Sequence, residues 1–118
     1  MQKDLVMLFE NDQPVLASLQ FALALEGYII ADGAAQGAIY GNARCLVIDQ
    51  GYRGHGLAFL QELRASGIAA PAILLATNPT RKLHEHATSK GVVVIEKPLL
   101  GDELAETLRT LCQTSDAA

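Results

Sequence analysis

Residues that could carry chemistry follow four of the five short apolar runs of this 118-residue chain. Two acids and an amide follow the first run, at Glu10–Asp12, and a single carboxylate, Asp49, ends the third. The fourth run leads into Ala76–Asn78 and the fifth into Glu96–Pro98. If these runs are neighbouring strands, carboxylates, an amide, a hydroxyl and one lysine meet at one edge of a sheet.

Apolar runs and helical stretches alternate strictly along the chain. Strands are expected at 5–9, 28–31, 45–48, 72–76 and 92–95. Helices are expected at about 13–26, 33–40, 57–66, 80–90 and 102–112, followed by a frayed tail at 113–118. The second helix should be short and weak because it is rich in Ala and Gly. Either Asp12 or Gln13 should cap the first helix, and either Asn78 or Thr80 the fourth.

Continuous apolar strands in strict alternation with helices are typical of a parallel sheet covered on both faces. The predicted class is therefore α/β, a single-domain, doubly wound five-stranded parallel sheet in the order 2-1-3-4-5. In this arrangement ligands bind beyond the carboxyl ends of strands 1 and 3, where the winding reverses. Asp49 lies at that point of the predicted fold.

Composition narrows the class of protein. A net charge of −4 and a pI near 5.2 argue against direct nucleic-acid binding, which needs a clustered basic surface. No apolar run is long enough to span a membrane, and the short apolar run after MQKD does not resemble a signal peptide, so a cytoplasmic protein is expected. Cys45 and Cys112 belong to no metal or redox motif, and Cys45 is expected to be a buried, reduced thiol.

Five stretches of the chain resemble the receiver domain of two-component response regulators, in the same order and at nearly the same spacing. They are FENDQPVLASLQFALALEGY, CLVIDQG, GLAFLQELRASG, PAILLAT and VVVIEKPLL. The resemblance as a whole extends over roughly residues 3–112. The resemblance implies one flavodoxin-like (βα)5 receiver domain, like that of chemotaxis regulators, across residues 1–118. Such a domain would be either a stand-alone protein or part of a longer regulator.

The resemblance also implies a role for the polar edge. Asp49 would accept a phosphoryl group from a histidine kinase or phosphotransfer protein, which makes the chain a phosphorelay signalling protein rather than an enzyme. Lys97 would pair with Asp49 and later with the phosphoryl oxygens. Pro98 would follow a cis peptide bond that turns Lys97 inward.

A magnesium site is implied at the same place. Its ligands would be Asp49, Glu10, Asn11 and the backbone carbonyl of Gly51, because Mg²⁺ prefers oxygen ligands. Asn11 stands where the family has an acidic ligand, and an amide brings no charge. Weak Mg²⁺ binding is therefore expected, and Asp12 is an alternative acid one residue on.

Other departures favour an alternative function. Counting from Pro71 places Ala76 at the family's switch hydroxyl, whereas counting back from Lys97 permits Thr77, so both stay open. The loop after Asp49 is short, and Val94 replaces an aromatic residue in strand 5. These departures are compatible with a pseudo-receiver, a phosphorylation-independent protein-interaction module of the same fold.

Partner surfaces are expected on two faces. In receivers the first helix docks the kinase or phosphotransfer protein, and Leu16 and Gln20 are candidates there because Val15, Leu19, Ala22 and Leu23 best meet the core-facing positions. Dimerisation through the fourth predicted helix, strand 5 and the last helix is left open. His55, in the loop after Asp49, is either an exposed histidine or a residue that touches the site.

Overall fold

The apolar runs form strands because each strand of the sheet is covered on both faces. The computed structural model describes residues 4–35, 40–97 and 102–116, with side chains as far as Cys112. Its strands form a five-stranded parallel sheet in the order β2-β1-β3-β4-β5, as predicted. They are β1 (Leu5–Phe9), β2 (Ile29–Asp32), β3 (Cys45–Asp49), β4 (Ala72–Thr77) and β5 (Val93–Lys97).

The helices begin and end at residues suited to those positions. They are α1 (Gln13–Leu25), α2 (Gly56–Ala65), α3 (Arg81–Ser89) and α4 (Glu103–Asp116). The side chain of Asp12 caps α1, and Thr80 rather than Asn78 caps α3. Gly27 follows α1 at φ 98°, a left-handed conformation that glycine adopts without steric cost.

The core consists of two clusters, one on each face of the sheet. Side chains alternate between the faces along each strand, so Val6 and Leu8 belong to one cluster and Met7 and Phe9 to the other. The first cluster packs against α1 and α4, and the second against α2 and part of α3. Both faces of the strands are therefore buried, which accounts for their continuous apolar sequences.

The segment between β2 and β3 differs from the prediction in its described parts. Residues 33–35 form a turn and Tyr40–Asn42 a 3₁₀ turn, so neither described end of the predicted 33–40 helix is α-helical. Residues 36–39 of that prediction lie outside the described residues. The aromatic rings of Phe9 and Tyr40 meet edge to face below this segment, with centroids 5.6 Å apart.

The orientation of α1 corrects one prediction. Leu16 is only 3% exposed and packs in the core with Leu19 and Leu23, so its placement at the outer edge was wrong. Ala22 is exposed and Val15 is half-buried. Three leucines spaced i, i+3 and i+7 bury more apolar area than Val15 and Ala22 would, and the helix is rotated accordingly. Leu16 is therefore not a partner-surface residue.

Two further findings concern the cysteines and the length of the helices. Cys45 and Cys112 are both buried free thiols, as expected for Cys45. In the described part of the chain, no helix has the length and apolar character needed to cross a membrane.

Candidate functional site

The polar residues that follow β1 and β3 meet at the carboxyl edge of the sheet. Phe9 pairs with Ile48 in the register of these two strands, so the next residues, Glu10 and Asp49, lie side by side. Both acids are on the face that α1 and α4 cover, because they continue the alternation of Leu8 and Val47. This edge is the place where the winding of a doubly wound sheet reverses.

Lys97 joins the two acids. Its Nζ lies 2.8 Å from Oδ1 of Asp49 and 3.2 Å from Oε1 of Glu10. The side chains of Glu10, Asp49 and Lys97 are 5%, 17% and 22% exposed. A carboxylate as buried as Glu10 needs a charged partner, because burial without one is strongly unfavourable. Lys97 supplies that partner from the end of β5.

Both oxygens of Asp49 accept hydrogen bonds. Oδ1 accepts from Lys97, and Oδ2 accepts from the backbone N–H of Gly51 at 2.8 Å. The carboxylate is therefore held in one orientation by groups from β5 and from the loop after β3. Each bond is charge-assisted, the stronger class of hydrogen bond in proteins.

The pKa of Lys97 reflects two opposing influences. Burial alone lowers the pKa of this lysine, because it disfavours the charged form. The hydrogen bonds and negative charges of Asp49 and Glu10 outweigh burial, and the net result is a pKa raised above the ordinary lysine value. Lys97 therefore stays a cation at any physiological pH.

Register separates the two candidates for the hydroxyl position. Thr77 is exposed at the end of β4 and pairs with Lys97, whereas Ala76 is 3% exposed and pairs with Glu96. Paired residues of adjacent strands project to the same face, so Thr77 shares the face of Asp49 and Lys97. Thr77 thus has the geometry needed for a hydroxyl beside Asp49, and its role there remains a prediction.

Asn11 contacts the loop that follows β3. Its Nδ2 donates a hydrogen bond to the carbonyl oxygen of Gly51 at 3.3 Å. Asp12, the alternative acid, accepts from the backbone N–H of Val15 and caps α1. Pro98 lies outside the described residues.

The oxygen atoms at this edge are the type of ligand that magnesium prefers, but few of them carry a negative charge. Carboxylate oxygens of Glu10 and Asp49 and the Gly51 carbonyl are hard oxygen ligands. Among the residues that the structure describes, however, no group of three His, Cys, Asp or Glu side chains could hold a metal. Asn11 would have to turn its amide oxygen inward, because an amide N–H₂ cannot bind a cation. The residues fit Mg²⁺ with fewer charged ligands than the resemblance implies.

A cavity of about 640 Å³ opens next to Asp49. Its lining includes Thr77 and Thr80, two lysines (Lys82 and Lys97) and two histidines (His55 and His86). Asp49 is the one acid among the lining residues. The lysines and threonines at the entrance to the carboxylate suit an anionic group.

Two residues beside Asp49 make contacts that the sequence did not lead us to expect. Gln50 Oε1 accepts from the backbone N–H of Leu57 at 2.9 Å, and His55 Nδ1 accepts from that of Ala58 at 3.2 Å. Both side chains therefore cap α2. The predicted helix began at Leu57, one residue too late for His55 to precede it directly, and histidine is not one of the usual cap residues.

The predicted partner surfaces keep only part of their residues. Gln20 is half-buried on α1, so it remains a candidate contact there, whereas Leu16 does not. Val94 is half-buried on β5 and packs against the cluster that contains Ala87 of α3, within the face proposed for dimerisation. That face remains a prediction.

Comparison with known proteins places this arrangement in a known fold. No protein-family model matches the chain, and neither does any curated protein sequence. Solved structures do match: FixJ-N is 24% identical over 96% of each chain, with a TM-score of 0.79. The receiver domain of the Francisella response regulator 1452 is 19% identical over 96% of this chain and 99% of its own, with a TM-score of 0.81.

A third match has less sequence identity and a closer backbone. The response regulator receiver domain protein from Clostridium thermocellum is 12% identical over 97% of this chain and 98% of its own, with a TM-score of 0.85. The chain therefore has the receiver fold of response regulators, with Asp49 and Lys97 at its switch point. At these identities the likeness establishes the fold, and function must be argued from the site.

Proposed function

We propose that this chain is a phosphorelay receiver that accepts a phosphoryl group on Asp49 and signals through protein contacts. The donor would be a phosphohistidine of a histidine kinase or phosphotransfer protein. The observation that carries the proposal is the orientation of the Asp49 carboxylate, which Lys97 and the Gly51 N–H hold at the switch point beside an open cavity lined by lysines and threonines.

The transfer needs no reactant other than the phosphohistidine donor and the Asp49 carboxylate. A carboxylate oxygen of Asp49 forms a bond to phosphorus while the bond from phosphorus to the donor's imidazole nitrogen breaks. The electron pair of the broken bond returns to the imidazole. Lys97 lies within hydrogen-bond distance of the acceptor carboxylate, so a small movement of its Nζ would bring it to the oxygens of the phosphoryl group.

The residues that would hold Mg²⁺ are Glu10, Asp49, the Gly51 carbonyl and Asn11. When bound, the ion neutralises charge between the phosphoryl oxygens and the carboxylates. Lys97 and the Gly51 N–H orient Asp49 whether or not the ion is present. We infer that Mg²⁺ binds weakly, because Asn11 brings an uncharged ligand.

Phosphorylation would change the charge of a small space. Glu10, Asp49 and Lys97 together carry one net negative charge, and a phosphoryl group adds about 1.5 to 2 more. The loops after β3 and β4 line the same cavity and would rearrange in response. The face formed by α3, β5 and α4 would report that change to a partner or to a second copy of the chain.

Incubation with Mg²⁺ and acetyl phosphate tests the proposal directly. Intact mass should rise by one phosphoryl group in the wild type and should not rise in Asp49→Asn. Asp102→Asn, which changes an exposed acid at the start of α4, is a matched control and should gain the group as the wild type does. No gain in the wild type at saturating metal and donor would contradict the proposal.

A second function is favoured by the contact between Asn11 and Gly51. The Asn11 amide donates a hydrogen bond to the Gly51 carbonyl, the same oxygen that a metal would use, so this ligand already has a partner in the metal-free protein. A domain that acts through constitutive protein contacts, without phosphorylation, would need no metal there. This pseudo-receiver function is the alternative that the mass experiment separates from the first.

Asn11→Asp tests how position 11 bears on both functions. The added carboxylate should raise Mg²⁺ affinity because it restores a charged ligand. It should also lower the metal-free stability by about 1 kcal/mol, because a carboxylate cannot donate to the Gly51 carbonyl. Urea unfolding with and without Mg²⁺ measures both effects. Equal metal affinities in the two proteins would show that residue 11 is not a ligand.

A further inference from the structure

Helix α2 begins with a histidine cap. His55 has extended backbone angles, φ −156° and ψ 93°, and its Nδ1 accepts from the N–H of Ala58. Side chains that cap helix N-termini usually offer an oxygen, from Ser, Thr, Asp or Asn. An imidazole nitrogen can accept a hydrogen bond only when it carries no proton, so this cap requires neutral His55.

Gln50 connects this cap to the loop that follows Asp49. Its Oε1 accepts from the N–H of Leu57, which identifies the oxygen of the amide and leaves Nε2 as the group 3.4 Å from His55 Nδ1. The Gln50 carbonyl also accepts from the N–H of Gly56 at 2.7 Å. The residue between Asp49 and Gly51 is therefore fastened to the start of α2 at three points.

We propose that His55 is a positioning residue for Asp49 that acts only as a neutral imidazole, which makes the loop between β3 and α2 sensitive to pH. A proton on Nδ1 would face the N–H of Ala58 and the amide of Gln50, so donors would meet with no acceptor between them. A positive charge at a helix N-terminus is also unfavourable. Gln50 would then keep its bonds to Leu57 and Gly56 but lose its contact with His55. It would hold less firmly the adjacent Gly51, whose N–H orients Asp49 Oδ2.

Other charged groups share the cavity with His55, and their effects on pH dependence must be distinguished from that of His55. Asp49 projects from β3, Lys97 from β5, and Lys82 and His86 from α3. Within the loop, Arg53 lies over the rings of Tyr52 and Phe59, 5.8 and 5.0 Å from their centroids. His86 is the second imidazole of the cavity lining, and it contacts Gln61 rather than Gln50. It is therefore the appropriate control.

Amide hydrogen exchange of Leu57 and Ala58 tests the cap without reference to phosphorylation. Rates would be measured near pH 8 and near pH 5.5, on either side of the range where imidazoles usually titrate, and corrected for intrinsic exchange. In the wild type and in His86→Gln, protection should fall by about 2- to 30-fold in acid, the range expected for a lost cap. In His55→Asn, whose cap does not titrate, protection should change little.

Two results would overturn the proposal: unchanged protection in the wild type, or an acid loss that persists in His55→Asn. His55→Ala, which has no cap at either pH, should show low protection throughout. Recovery by Asn but not by Ala shows that the acceptor, rather than the size of the side chain, is what matters.

The expected effect of the His55 cap on Asp49 rests on the proposed function and is measured separately, as a rate of phosphorylation. The rate of phosphorylation by acetyl phosphate, taken as the ratio of wild type to His55→Asn, should be near one at about pH 8 and several-fold lower at about pH 5.5. A ratio that is the same at both values would show that the cap does not position Asp49. If neither protein is phosphorylated at any pH, the proposed function fails, and the exchange experiment still decides whether the His55 cap is lost in acid.

Discussion

At the scale of single residues, Lys97 determines the electrostatics of the site. It is the cation that contacts both Glu10 and Asp49, and Glu10 has almost no access to water. Its removal would leave two neighbouring carboxylates without a counter-charge, one of them buried. The same pairing that orients the acceptor therefore also stabilises the fold.

Replacement of this lysine should have a stability cost that depends on pH. Lys97→Met should lower the free energy of unfolding by about 1–3 kcal/mol near neutral pH, because charged hydrogen-bond acceptors lose their donor. Since the pKa of Lys97 is raised, its contribution is complete below the ordinary lysine value of 10.5 and is lost as the pH rises through the raised value. Urea unfolding at several pH values measures the difference.

The control for this prediction is Lys82→Met, which removes an exposed lysine from α3. Its effect should be small at every pH, because exposed charges contribute little. A penalty for Lys97→Met that stayed constant far above pH 10.5 would contradict the role assigned to the ion pair.

At the scale of elements, α1 shows how a helix chooses the face that it buries. Its leucines at 16, 19 and 23 face the sheet, and Phe21 and Leu25 are 70% and 74% exposed. The prediction that placed Val15 and Ala22 in the core beside Leu19 and Leu23 describes a helix rotated by about 50°, or roughly half a residue. The sheet surface, which the helix sequence does not contain, selects between the two orientations.

Two leucines of α1 form a matched pair for testing this orientation. Leu16→Ala should lower the free energy of unfolding by about 2–5 kcal/mol, the usual cost of a cavity in a core. Leu25→Ala makes the same chemical change at an exposed position and should cost less than about 0.5 kcal/mol. Denaturant titration of both variants decides the point. Equal effects would mean that α1 does not present Leu16 to the core.

At the scale of the whole molecule, Cys45 and Cys112 are buried in the core, so the reactivity of their thiols reports on global unfolding. Burial raises the pKa of Cys45 to about 12, with a further contribution from nearby Cys112. Burial, followed by the charge and hydrogen bond of Asp4, raises the pKa of Cys112 to about 11. Only the thiolate reacts readily with alkylating reagents. Native thiols should therefore be nearly inert at mild pH.

Alkylation by iodoacetamide near pH 8 measures this protection. The thiolate population of Cys45 should be about 1000-fold below that of an ordinary thiol of pKa 9.0, and its reaction should follow global unfolding. Cys112→Ala and Cys45→Ala allow each thiol to be followed alone, and Cys112 should react faster. Native labelling of Cys45 as rapid as labelling in urea would show that the centre of the sheet opens without unfolding.

Much of the site could be predicted from the sequence, because its residues directly follow strands. Parallel strands end at a common edge, so the strand order places Glu10 and Asp49 on neighbouring strands and Lys97 farther along the same edge. The pairing of Lys97 with Asp49 across β4 was implied by the resemblance to receivers. Side-chain contacts could not be predicted in the same way. The bonds from Asn11 to Gly51 and from Gln50 to Leu57 depend on the path of a short loop, which no periodic pattern describes.

The class of fold and the edge at which Asp49 stands could be predicted from the sequence alone, since apolar runs and their alternation with helices are local properties typical of a doubly wound parallel sheet, and 2-1-3-4-5 is a common order for one of five strands. The tertiary structure alone decided that Thr77 rather than Ala76 shares the face of Lys97, that Leu16 is buried, and that His55 caps α2 beside Asp49. Each of these depends on register, helix rotation or a hydrogen bond between separate elements. Such choices minimise the free energy of the packed whole, and no local segment contains the information needed to make them.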